Sequence, residues 1–187
     1  MEKFTKLKDT KKTSKKKKSD ELYSDGYIKL ISYEGWSIIS EKDMVIVVPY
    51  LIESNELILR YEYIPTFKYV DGQEYHITVL SGSMEEGEDP KTAAIRELEE
   101  ESGIVLKNEK KLEQLKPLFV SKSNCNKYHI FFLPLHERDY YQIEPVGDGS
   151  KAEAKSSCIK INYKNISSID SSDLITEYIL TKVKELI

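Results

Sequence analysis

From Tyr27 onward the chain alternates between short apolar runs and polar breaks. YIKLISY, MVIVVPYLI, ELILRYEY and EYHITVL are rich in Val, Ile, Leu and Tyr and predict four strands. ESNE between the second and third runs supplies turn chemistry, as does the Asp71-Gly72 pair before the fourth, so antiparallel pairing is expected. LKPLFVS, KYHIFFLPL and SCIKINY predict further strands later in the chain. The period changes between the two groups. Asp89 followed by Pro90 offers a cap and a preset first turn, Gly103 offers a left-handed stop, and a helix is predicted over Pro90 to Ser102. A second helix is predicted in SSDLITEYILTKVKELI, where Leu174, Ile175, Tyr178, Ile179 and Val183 recur near 3.6 residues and Ser171 or Ser172 can cap. This order predicts an α/β fold, a mixed sheet covered by helices on its faces.

Composition adds few constraints. The 187 residues suffice for one domain with a sizeable core but hardly for two. Apolar content of 40% and charged content of 32% are those of a soluble protein, and no run reaches the roughly 18–20 apolar residues of a membrane span. Residues 1–20 carry nine lysines against Glu2, Asp9 and Asp20. Such a run lacks apolar partners, so residues 1–20 are expected to form a disordered tail and 21–187 the folded domain. Both a nucleic-acid arm and an idle solvated tail fit that composition. The start has no apolar segment of a secretory signal, and Cys125 and Cys158 lack metal-ligand spacing; free thiols in a reducing cytoplasm are expected.

Residues 82–104, GSMEEGEDPKTAAIRELEEESGI, hold eight acidic side chains. Like charges three and four residues apart cost about 0.2–0.5 kcal/mol per pair on a helix, so a compensating positive charge is expected. At about 100° per residue, Glu97, Glu100 and Glu101 share an arc of about 100°, beside an apolar arc of Ala94, Ile95 and Leu98. Arg96 is the single cation between Lys91 and Lys107. The three carboxylates are therefore read as unpaired ligands for a hard divalent cation, which takes oxygen donors.

The placed residues Gly82, Glu88, Arg96, Glu97, Leu98, Glu100, Glu101, Gly103 and Ile104 resemble a complete Nudix box. The resemblance implies an α/β/α sandwich with the box as loop, helix and loop. It also implies hydrolysis of a nucleoside diphosphate linked to another group, with magnesium or manganese required. By the same resemblance, Glu97, Glu100, Glu101 and the Ser81 carbonyl match metal ligands, and Arg96 and Glu88 match a pair that holds the glutamates.

Within that family the chain is most similar to the ADP-ribose pyrophosphatase group. It departs from that group in having Tyr61-Glu62-Tyr63 before Pro65, Thr78 before the box, and SKSNCN after it. The group's general base lies on a loop about 45 residues beyond the box, where this chain offers Glu144, Asp148 and Glu153. Of these Glu153 is favoured. Tyr61 and Tyr63 belong to an aromatic cluster with Phe67 and Tyr69 that offers flat faces to a nucleobase, strand packing or a homodimer interface. Trp36 is expected in the core, and the three histidines have no assigned role.

Three functions fit these features. A small-nucleotide hydrolase acting on ADP-ribose or a related nucleotide comes first. An RNA 5′-end pyrophosphohydrolase follows from the lysine-rich arm, and a non-catalytic nucleotide-binding module comes third. Three mutually repelling glutamates would serve no purpose in a module released from catalysis.

Overall fold

Strands buried on both faces account for the near-continuous apolar runs. The computed structural model describes residues 19–109, 112–147, 149 and 153–187, with the side chain of residue 153 excepted; the lysine run of the expected tail lies outside them. The described chain opens with a three-stranded antiparallel sheet of β1 (Asp20–Ser24), β2 (Lys29–Tyr33) and β3 (Trp36–Ser40). It continues through β4 (Met44–Leu51), β5 (Glu56–Tyr63), α1 (Pro65–Asp71), β6 (Tyr75–Thr78), β7 (Leu80–Ser83) and α2 (Pro90–Ser102). Then follow β8 (Ile104–Leu106), β9 (Glu113–Gln114), β10 (Leu118–Phe119), β11 (Lys127–Leu135), β12 (Tyr140–Gln142), β13 (Ser157–Asn162) and α3 (Leu174–Leu186).

The central sheet has the order β10-β11-β4-β5-β13, with β6 on β5, β7 on β4 and β9 on β11. β11 runs parallel to β4 and the other pairs are antiparallel, so the sheet is mixed. Val45, Val47, Ile58, Phe131 and Leu133 point to one face and pack with Ala93, Ala94 and Leu98 of α2. Ile46, Val48, Leu57, Leu59, Ile130 and Phe132 point to the other and pack with Ile179, Leu180 and Val183 of α3. This is an α/β/α sandwich. Each fully buried aliphatic side chain contributes about 1.5–3 kcal/mol, so both helices are held mainly by these apolar stripes.

The junction between β6 and β7 places the site. The run EYHITVL does not form one strand: it leaves β5 after Thr78 and joins β4 at Leu80. The Val79 amide falls between the two ladders and donates to Thr176 Oγ1 at 3.2 Å, while Thr176 Oγ1 donates to Asp173 Oδ2 at 2.6 Å. Asp173 also caps α3 by accepting from the Thr176 amide at 2.8 Å, the role expected of Ser171 or Ser172. Ser171 instead donates to the Ile77 carbonyl at 3.0 Å. The first turn of α3 thereby pins the point from which β7 delivers Ser81 and Gly82 to α2.

Several expectations change. Trp36 is 63% exposed rather than in the core, because it belongs to the β1–β3 sheet, in which no residue is fully buried. PTFKYVD, between two of the predicted strands, forms α1, with Pro65 in its first turn and Gly72 at its left-handed end, φ 81°. Asp71-Gly72 therefore ends a helix instead of reversing a hairpin. Among the described residues no helix is long and apolar enough to cross a membrane.

Candidate active site

α2 forms over the predicted residues and with the predicted caps. Asp89 accepts from the Lys91 and Thr92 amides at 3.0 and 3.3 Å, and Gly103 (φ 69°) donates to the Glu99 carbonyl at 2.8 Å. Its buried positions are Ala93, Ala94, Glu97, Leu98, Glu101 and Ser102. Glu97 and Glu101 are thus on the flank of the packing face, each only 8% exposed, and not on an opposite, open face. Gly82 makes this possible. A Cβ at that position would coincide with the Glu97 carboxyl group, so only glycine lets the carboxylate lie against β7.

The carboxylates are not unpaired, which corrects the reading that metal is their sole source of positive charge. Arg96 Nε and Nη2 donate to the two Glu88 oxygens at 3.0 and 3.1 Å, and Nη1 donates to Glu97 Oε1 at 2.7 Å and Glu100 Oε2 at 2.9 Å. Its remaining bond goes to the Ser83 carbonyl at 3.0 Å. Every guanidinium donor is thereby engaged. Glu88 also accepts from the Glu85 amide at 2.8 Å, closing the loop before the helix. Arg96 holds the Glu88 carboxyl below its ordinary range, and the Arg96 guanidinium is itself held more firmly protonated. Glu97 moves the other way, because burial raises its pKa by more than Arg96 lowers it.

Glu101 faces a different environment. Its Oε2 accepts from the Ser81 amide at 3.1 Å, and its Oε1 lies 3.5 Å from Nε of Arg60 on β5. Arg60 Nη1 and Cys158 Sγ approach the Glu101 carbonyl at 3.4 and 3.3 Å. Alternation along β5 explains this placement: Ile58, Arg60 and Glu62 share the α2 face, while Leu57, Leu59, Tyr61 and Tyr63 share the α3 face. Glu62 accepts from Thr78 Oγ1 at 2.6 Å, so two of the three departures from the group pattern meet across β5 and β6.

A cleft of about 360 Å³ opens beside Arg60, Glu100 and Glu101 and is lined also by Pro145, Val146, Gly147, Gly149, Ala154 and Ser156. The segment expected to carry a base is fastened to the box helix, since the Ile143 amide donates to the Gly103 carbonyl at 2.8 Å and the Gly147 amide to the Glu100 carbonyl at 3.1 Å. Glu144 is exposed on this segment, and Glu153 begins a short 3-10 turn next to cleft-lining Ala154. Asp148 and the side chain of Glu153 lie outside the described residues.

Tyr61 and Tyr63 do not line this cleft. Tyr61 stacks on Tyr75 at 5.0 Å between ring centroids, and Lys155 Nζ sits 4.1 Å from the Tyr63 ring centroid. Arg60 was absent from the sequence expectations; an arginine at an inward position of ELILR was the available signal.

Among the described residues Glu88, Glu97 and Glu100 pair with Arg96 and Glu101 pairs with Arg60, four carboxylates to two guanidiniums. Among the described residues no group of three or more acidic, histidine or cysteine side chains is gathered as a metal cage. The donor chemistry nevertheless fits a hard divalent cation: the available groups are all oxygen donors, and their charge exceeds what the arginines balance.

The α/β/α sandwich and the box geometry define one class, and an independent comparison agrees: the NUDIX domain family model matches residues 51–158, more than half of the chain. The chain belongs to the Nudix family. Among solved structures it is similar to one titled as the crystal structure of an ADP compounds hydrolase, with 20% identity, a TM-score of 0.64, and coverage of 90% of this chain and 91% of that one. At that identity the likeness establishes the fold. No curated protein matches the chain.

Proposed function

We propose that the chain hydrolyses the pyrophosphate bond of a nucleoside diphosphate linked to another group, with ADP-ribose or a related nucleotide as the favoured substrate and magnesium or manganese required. The observation that carries this reading is the cleft in which Glu100 and Glu101 of an intact box lie beside a buried arginine. Glu97, Glu100, Glu101 and the Ser81 carbonyl would hold the metal, which when bound neutralises phosphate oxygens and acidifies water. Arg96 and Glu88 keep the carboxylates in place, and Gly82 gives Glu97 its room. A base on the segment between Ile143 and Ser157, with Glu153 favoured, would take a proton from the attacking water as its oxygen bonds to phosphorus. The bridging P–O bond then breaks, and the leaving phosphate departs on that oxygen. The ADP compounds named for the structurally similar protein lend the adenosine nucleotides priority in a test.

The experiment is a product assay with ADP-ribose, NAD, dinucleoside polyphosphates and 5′-triphosphorylated RNA, in magnesium and in excess chelator. ADP-ribose is expected to give AMP and ribose 5-phosphate in magnesium alone. Cleavage of RNA 5′ ends with negligible small-nucleotide turnover, or no cleavage at all, would overturn the proposal.

A further inference from the structure

The two arginines of the site differ in how fully they are used. Arg96 makes five hydrogen bonds of 2.7–3.1 Å. Arg60 is more buried, only 4% exposed, yet its Nε makes no hydrogen bond and its contacts to Glu101 are 3.4 and 3.5 Å. Charge-assisted N–H···O bonds measure about 2.7–2.9 Å, so Glu101 alone does not satisfy this guanidinium. A buried donor without an acceptor is destabilising, and an anionic ligand would satisfy it. The cleft that Arg60 lines is shared with Glu100 and Glu101, and its other described lining residues include the small Gly147, Gly149, Ala154 and Ser156.

We propose that Arg60 makes the floor of this cleft a phosphate subsite, binding a phosphoryl group of the substrate directly. This rests on the hydrolase reading and adds to it a residue that touches substrate. A planar guanidinium takes two phosphate oxygens in a fork, which a lysine ammonium cannot do. Arg60 therefore contributes to binding the diphosphate, whereas Arg96, with no donor to spare, contributes only to holding the glutamates.

The test measures ADP affinity by calorimetry with magnesium, and KM and kcat for the best nucleotide, in wild type, Arg60→Met and Arg60→Lys. Circular dichroism and melting confirm that each variant is folded. Arg60→Met is expected to weaken ADP binding and raise KM on the order of 10- to 100-fold, with a smaller change in kcat, and Arg60→Lys to restore part of the affinity. Arg60→Lys alone, which keeps the charge without the fork, answers the question if the Met variant does not fold. Unchanged ADP affinity and KM, or a fall in kcat at constant KM, would overturn the subsite and leave the hydrolase reading standing. Arg60-dependent ADP binding in a protein that cleaves no nucleotide would support the subsite while removing the hydrolase reading.

Discussion

Arg96 and Arg60 both approach the glutamates of α2, and their surroundings set them to different tasks. Arg96 is 26% exposed at its side chain and saturated by Glu88, Glu97, Glu100 and Ser83, so it behaves as a structural clamp. Arg60 lies deeper, on a strand, with loose contacts and a cleft beside it. Burial alone does not separate the two arginines. The number of donors left unsatisfied does.

The largest effect is expected from the carboxylates between the two arginines. Glu101→Gln, and nearly as severely Glu97→Gln, should lower turnover by at least about 100-fold, roughly 3 kcal/mol of barrier, with the fold retained by circular dichroism. Wild-type-like turnover of both at saturating magnesium would remove the proposed site.

Arg96→Met sharpens the contrast next. It strands three carboxylates at partly buried positions, so stability should fall by about 2–3 kcal/mol and Tm by on the order of 5–10 °C, with activity lost as well. Arg60→Met should cost less stability than this. A melting scan showing the reverse order would break the distinction between clamp and ligand.

The smallest effect is in the pH dependence of the metal-free protein. Glu97 keeps its proton to a higher pH when folded than its ordinary 4.5, so the stability linked to that proton is complete below 4.5 and is lost as pH rises through the raised value. Glu88 acts oppositely, its contribution being present above 4.5 and lost as pH falls through its lowered value. Denaturant titrations should therefore show that Glu97→Gln removes a decline in stability above pH 4.5 and that Glu88→Gln removes one below it. Identical pH profiles in both variants would contradict these assignments.

What could be read in the sequence followed from local rules. The ends of α2 were legible because Asp89, Pro90 and Gly103 act within one turn, and β5 and β11 because their apolar runs end in clear breaks. Arg60 was not, since its partner Glu101 is 41 residues away and comes close only when α2 packs on the central sheet. The pairing of Arg96 with Glu88 came from the family resemblance and not from helical spacing, because Glu88 reaches it from the loop before the helix. Trp36 resembled core because an aromatic among apolar residues usually is, but the β1–β3 sheet packs none of its residues into the interior. That β7 rather than β6 delivers Ser81 and Gly82 depends on α3, nearly a hundred residues further along, taking the Val79 amide.

The central claim is that the acidic face carries more charge than its arginines balance and holds a divalent cation in consequence. Calorimetric titration of the chelator-treated protein with magnesium, at constant ionic strength maintained with sodium chloride, tests it most directly. Saturable binding is predicted in wild type, weakened at least about tenfold in Glu101→Gln and in Glu97→Gln, because each removes one ligand charge. Magnesium binding of equal affinity in wild type and both variants, or none in wild type, would contradict the account.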